Sequence, residues 1–255
     1  MTSIARVGWD TRTGASVRLI AAGVVLVSVY ESLGPIISAI GPPPRDRWIL
    51  AVERTLFRGS IPPLGPAHLP PAIVDAFSIV YVLYFALPVI LLAALVRRGQ
   101  LCDARAAMRT LLIAYYMHYA IYIVVPVVGP ARAVEVPMAV KLHLTSQGSV
   151  VTQRLRAAIS ALERTPQDAF PSAHTSIAVL VAAFARRHRL RFHAFFSVAA
   201  AAIVSSTVVL GFHYVVDVVA AVPLARAAWR LGLDRRFATH LKSRAWRSSI
   251  TSTSG

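Results

Sequence analysis

Long apolar runs, separated by short clusters of arginine, set the pattern of the chain. Ala72 to Val96 is the clearest run and is closed by Arg97 and Arg98. Leu111 to Val128 follows, preceded by Arg105 and Arg109. Ala194 to Phe212 is the most apolar, and Tyr214 to Trp229 comes directly after it. Ala173 to Ala185 is shorter but is extended by Phe170, while Val17 to Ile40 is interrupted by Glu31, Gly34 and Pro35. A helix needs about 20 mostly apolar residues to cross about 30 Å of hydrocarbon. These runs therefore predict an all-α integral membrane protein, a bundle of six transmembrane helices. The first run has a rival reading as a cleaved signal peptide flanked by Arg6, Arg12 and Arg18, but no persuasive small-residue cleavage site follows it.

Two stretches carry a helical stripe without the length to span. Between Pro44 and Gly59, Ile49, Val52 and Leu56 share one face, with Arg47, Glu53 and Arg54 largely elsewhere. Between Ser149 and Arg164, Val151, Leu155, Ile159 and Leu162 lie opposite Arg154 and Arg156. Both read as amphipathic helices in the interface on the outer face, either a collar packed on the bundle or a contact for lipid head groups.

Loop charge sets the orientation. Arg97, Arg98, Arg105 and Arg109 lie between the second and third runs; Arg186, Arg187, Arg189 and Arg191 lie between the fourth and fifth. Arg235, Arg236, Lys242, Arg244 and Arg247 follow the last. With six spans all of these share one side, which places both termini in the cytoplasm. The expected organisation is a cytoplasmic segment over residues 1–14, a membrane domain over 15–232, and a basic cytoplasmic tail over 233–255 whose end, Ser248 to Gly255, reads as disordered.

Composition agrees. Of 255 residues 56% are hydrophobic and only 15% charged, too few for an ordinary soluble domain. A formal charge of +16 invites a nucleic-acid reading, but the arginines fall between apolar runs and not in a patch interleaved with stacking aromatics. Contact with anionic lipid is the simpler account, and no nucleic-acid partner is expected. Lys141 and Lys242 are the only lysines; with the alanine richness, this arginine bias points to a GC-rich bacterial genome and hence to a bacterial inner membrane. Cys102 is the sole cysteine, so an intramolecular disulfide and a thiolate metal cluster are both excluded.

Three places put polar groups where a membrane protein has little use for them without a task. The first is Phe170-Pro171-Ser172-Ala173-His174: Pro171 and Ser172 suit a helix start, whose free amides bind phosphate, and His174 falls in the first turn. The second is Gly211-Phe212-His213-Tyr214-Val215-Val216-Asp217, where a helix places His213 and Asp217 on one face. Asp217 can then accept from one imidazole nitrogen and leave the other free to attack. The third is Pro126-Val127-Val128-Gly129-Pro130-Ala131-Arg132, where Arg132 can grip phosphate oxygens in two places. By the span count all three lie at the extracytoplasmic face. Taken singly, His213 with Asp217 also reads as a structural polar pair, Arg132 as a topological anchor, and the two histidines with the carboxylate as a zinc site. His118 reads as hydrogen-bonded core, and Tyr81, Tyr84, Tyr115, Tyr116 and Tyr119 as helix packing or interface belts.

These motifs resemble those of the type 2 phosphatidic acid phosphatase superfamily. Pro171-Ser172-Ala173-His174 matches its Pro-Ser-Gly-His motif with alanine for glycine, and Ser206, His213 and Asp217 match its Ser-Arg-x5-His-x3-Asp motif. Thr207 stands where that motif has arginine, Ala133 where proline follows the arginine of the Lys-x6-Arg-Pro motif, and Val125 where that motif has lysine. This reduced pattern looks like the branch of aureobasidin-sensitive inositol phosphorylceramide synthases, and the likeness runs from Asp46 to Ala221. The resemblance implies a phosphohistidine mechanism: His213 as nucleophile, Asp217 as its orienting partner and His174 as proton donor to the leaving group. It implies phosphate or substrate binding by Arg132, Ser172, Ala173, Gly129, Pro130 and Ser206, and no cofactor or metal. The expected activity is that of a lipid phosphatase or phosphotransferase cleaving a lipid-linked phosphoester at the outer leaflet. The intermediate passes to water, or to an alcohol acceptor with a head group such as inositol phosphate. The competing reading is an inactive lipid-binding or scaffolding protein of the same fold, supported by the missing cations. Neither the lipid nor the oligomeric state is specified by the sequence.

Overall fold

The computed structural model describes residues 11–58, 69–162 and 165–233. Arg6, Gly59, Arg164 and the basic tail after Leu233, with its Ser248 to Gly255 end, lie outside the described residues. Among the described residues the chain is all helical: α1 (Arg12–Ile40), α2 (Asp46–Leu56), α3 (Pro71–Arg97), α4 (Leu101–Val124), α5 (Met138–Ser146), α6 (Val150–Leu162), α7 (Ala173–Arg187), α8 (His193–Val209) and α9 (Val215–Leu233). An isolated bridge between Val127 and Asp168 is the sole extended pairing among them.

α7 is the hub, packed against α3, α4, α8 and α9, while α1 closes on α4 and α3. The shared core is rich in small side chains, with Ala104, Ala107, Ala114, Ala178, Ala185, Ala225 and Ala228 interleaved with Leu91, Leu95, Leu111, Ile177 and Phe184. Such residues let helix axes approach closely, the usual means of packing helices where lipid removes the hydrophobic drive. The outward faces are also apolar: Ile20, Val24, Phe85, Val89, Val198 and Val219 are each more than half exposed. A bundle apolar inside and outside suits lipid better than water. By length and composition α1 and α3 are candidate membrane spans, and α8 is a shorter apolar helix.

The elements differ from the apolar runs at their ends, each for a local reason. α4 starts at Leu101, ten residues before its apolar run, because Arg105 and Arg109 are good helix formers and sit comfortably inside it. Arg109 reaches the carbonyl of Gly232 through Nε at 2.8 Å and through Nη2. α4 stops at Val124 since Pro126 disfavours helical geometry at the residue before it. α8 stops at Val209, short of Phe212, where Gly211 takes φ 74° and the amides of Phe212 and His213 turn back to the carbonyl of Thr207. α5, which the pattern did not reveal, begins after Pro137.

The helices alternate so that two ends form. One gathers basic loops, where Arg98 holds the carbonyls of His188 and Arg189 at 3.2 Å each. At the other end α2, α5 and α6 lie beside the starts of α7 and α9.

In α2 the apolar stripe of the sequence faces largely outward. Of Ile49, Val52 and Leu56 only Ile49 is buried; Val52 is 48% and Leu56 61% exposed, and Trp48 joins them outside at 68%. The inward face carries Asp46 and Glu53, both fully buried, with Ile49 and Leu50. α6 is likewise anchored by a carboxylate: Asp75 of α3 accepts from the amide of Ser149 at 3.0 Å and the hydroxyl of Thr152 at 2.7 Å.

Candidate active site

Ser172 starts α7 by capping it. Its Oγ accepts from the amide of Thr175 at 3.3 Å, and its own amide donates to the carbonyl of Asp217 at 3.1 Å. The Phe170–Pro171 peptide before it is cis. The bridge at Val127 and Asp168 lays the 126–128 segment beside the 167–169 segment, with the amide of Ala169 on the carbonyl of Val127 at 2.9 Å. Gly129 then turns the chain at φ 82°, and a Cβ there would strike the carbonyl oxygen of Phe212. Only glycine lets these two loops meet. The amide of Ala131 donates to the carbonyl of Gly211 at 3.0 Å, completing the seam.

Two imidazoles face each other at this seam. Nε2 of His213 lies 3.3 Å from Nδ1 of His174. Nδ1 of His213 lies 2.7 Å from the carbonyl oxygen of Ala169 and 3.5 Å from Oδ2 of Asp217. A carbonyl only accepts, so Nδ1 carries the proton and, in the neutral ring, Nε2 presents its lone pair to His174. Asp217 is fully buried; Oδ2 takes the amide of Tyr214 at 2.7 Å and Oδ1 has no partner. Nε2 of His174 is also buried and unpartnered. The ring of His174 sits against Tyr81, centroids 4.7 Å apart, and against Tyr84 at 4.1 Å. Tyr81 stacks in turn on Phe212 at 4.5 Å.

The site residues expected from sequence thus divide. His174, His213, Asp217, Ser172 and Ala173 come together, and Gly129 and Pro130 form the buried turn beside them. Ser206 is buried but its hydroxyl bonds back to the carbonyl of Ile203 in α8 at 2.7 Å. Arg132 is exposed, with Nη2 3.4 Å from Oγ of Ser160 on α6. Thr207, in the place of the family arginine, is buried with its hydroxyl on the carbonyl of Val204 at 2.8 Å.

Sequence reasoning missed four contributors. Tyr81 and Tyr84, expected to serve packing, form the walls around His174. Arg156, expected on the polar face of its helix, turns inward: Nη2 donates to the carbonyls of Leu144 and Leu210 at 2.9 Å each, and the guanidinium lies 5.3 Å from the ring centre of Phe212. Burial lowers its pKa from the ordinary value, and Arg132 nearby adds to the effect. Asp46 accepts from the amides of Val128 at 2.9 Å and Gly129 at 3.0 Å and from the hydroxyl of Tyr214 at 3.2 Å. Burial pushes its carboxyl above the ordinary range against the pull of those donors. His118, by contrast, is bonded core, with Nδ1 2.7 Å from the carbonyl of Ala114 and Nε2 3.2 Å from Oγ of Ser176. No three His, Cys, Asp or Glu side chains among the described residues are arranged to hold a metal ion.

The order of these parts along the chain has a counterpart among known families. A family model for the PAP2 superfamily matches residues 47–231. The chain belongs to the PAP2 superfamily. That match begins inside α2 and ends inside α9, so it takes in both histidines and every loop of the seam. Membership supports a phosphatase-type activity on lipid phosphoesters in a membrane, in keeping with the apolar helices α1 and α3. No curated protein and no solved structure matches the chain.

Proposed function

We propose that this PAP2 protein cleaves a lipid-linked phosphoester through a phosphohistidine at His213. The observation that carries the reading is the facing pair of imidazoles, with Nδ1 of one fixed on a carbonyl and its Nε2 turned to the other. A phosphate placed between them replaces the 3.3 Å contact. Nε2 of His213 attacks phosphorus, the bond from phosphorus to the lipid oxygen breaks, and His174 gives that oxygen a proton. Asp217 and the carbonyl of Ala169 hold the ring and offset the positive charge it gains. In the second half His174 takes the proton of a water, whose oxygen attacks phosphorus; the bond from phosphorus to Nε2 of His213 breaks and phosphate leaves. An alcohol in place of water makes the protein a transferase; motifs that look like those of inositol phosphorylceramide synthases favour transfer, while the breadth of the superfamily favours hydrolysis. Ser172, Ala173, Gly129, Pro130, Ser206 and Arg132 would line the phosphate and its approach.

In this reading α1, α3, α4, α7, α8 and α9 are the six spans, within a membrane domain over residues 15–232. The basic ends lie in the cytoplasm with both termini, and the histidines at the outer leaflet of a bacterial inner membrane. What supports this topology is the cluster Arg97, Arg98, Arg105, Arg109, Arg186, Arg187, Arg189 and Arg191 around the short α3–α4 and α7–α8 turns, whereas the arginines at the histidine end lie in the longer segments around α2 and α6.

The test offers detergent-solubilised protein a panel of lipid phosphates and phosphoinositides, with and without alcohol acceptors. Wild type is expected to release or transfer phosphate, and His213→Ala to lose at least about 10³-fold in kcat. Equal rates for both on every substrate would remove the enzyme. The scaffold reading, favoured by Thr207 in place of the family arginine, predicts no binding of orthovanadate, which an intact site holds against His213.

A further inference from the structure

Glu53 of α2 is fully buried, far from the two histidine motifs in sequence. Its carboxylate takes two amides at 3.0 Å, Oε1 that of Val215 and Oε2 that of Val216. These are the first residues of α9. Among the described residues no cation pairs with it. A buried carboxylate is costly unless its oxygens are satisfied, and here the helix start supplies both donors and the positive end of its dipole.

Asp217 takes the amide just before, that of Tyr214. Two carboxylates, one local and one from α2, therefore fill three successive amides directly after His213. Asp46, on the same face of α2, ties the Gly129 turn and the Tyr214 hydroxyl into the same block. The amide of His213 itself donates to the carbonyl of Thr207 at 3.1 Å, so the backbone is tied on both sides of the imidazole.

We propose that Glu53 is a positioning residue for catalysis, fixing the first turn of α9 so that Nε2 of His213 points at the phosphate site. The role rests on the phosphohistidine reading above. A misplacement of about 1 Å at a reacting atom can lower turnover about a hundredfold. A carboxylate is required because both partners donate; glutamine offers one acceptor and sets its NH2 against the second amide. α2 thereby joins the site through backbone amides alone, without touching the substrate.

The experiment uses the full chain in detergent with dioctanoyl phosphatidic acid as the substrate, reading kcat, KM and thermal unfolding. Glu53→Gln is expected to lower kcat roughly ten- to a hundredfold with KM changed less than about threefold. Glu53→Asp, which keeps the charge but falls one methylene short, is expected to lose kcat as well. Arg54→Gln, on the exposed side of the same helix, is expected to match wild type. A folded Glu53→Gln with wild-type kcat overturns the proposal. So does a loss confined to KM. Should Glu53→Gln fail to unfold cooperatively, Glu53→Asp decides by the same criteria; if neither folds, Glu53 serves the fold and the proposal falls. His213→Ala separates the two claims. If it is inactive while Glu53→Gln is normal, only the positioning role is lost. If it retains the wild-type rate, or wild type is inert toward dioctanoyl phosphatidic acid and every other lipid of the panel above, the phosphohistidine reading goes and takes this role with it.

Discussion

The two histidines stand at the starts of two helices that are held in opposite ways. α7 is capped from within its own motif: Ser172 immediately precedes it and satisfies the amide of Thr175. α9 takes acceptors from Asp217 in its own first turn and from Glu53, 162 residues earlier in the chain. The cap of the first is complete once the local chain turns, although the amide of Ser172 also reaches the carbonyl of Asp217. The second exists only after α2 has docked, a long-range closure. One histidine is thus set by a motif, the other by the architecture.

Three substitutions probe that contrast. Asp217→Asn keeps an acceptor for the amide of Tyr214 but removes the charge beside His213. It should lower kcat about 10³-fold, measured as phosphate release, with thermal unfolding little changed. A loss under threefold would mean that the Ala169 carbonyl alone orients the ring. Gly129→Ala pushes a methyl into the Phe212 carbonyl at a φ that L residues avoid. It should destabilise the detergent-solubilised protein by about 2–4 kcal/mol, seen in denaturant unfolding, because it parts the loops that bring the two helix starts together. Ser172→Ala removes the local cap together with a hydroxyl that would line the phosphate, and should cost about 1 kcal/mol of stability and less than tenfold in kcat. If it matched Asp217→Asn in turnover, Ser172 would matter to the chemistry as much as the orienting carboxylate, and the contrast between the two helices would lose its force.

What the sequence made legible follows the same division. Phe170 to His174 and Gly211 to Asp217 announce themselves because cap, histidine and carboxylate sit within a few residues of one another. The long helices are equally plain, since apolar length is a local property. In the sequence Glu53 falls off the apolar stripe of its helix beside Arg47 and Arg54, and Asp46 carries no signal of its own. The stripe of Val52 and Leu56 faces outward and the carboxylates face the site; in the proposed topology the outward stripe would meet lipid. Periodicity finds the stripe but not which way it points. Arg156 escaped for a related reason: its guanidinium is held by the carbonyls of Leu144 and Leu210, and no local pattern foretells a partner set by the path of three loops. Tyr81 and Tyr84 looked like ordinary packing, because a wall and a core residue have the same composition.

Those two phenol rings carry a consequence for how protons travel. Both rings lie against the imidazole of His174, with centroids 4.7 Å and 4.1 Å from its own. In the proposed mechanism the ring would exchange protons through its nitrogens while the phenols stay in place, so a leaving oxygen would have to approach in the plane of the imidazole.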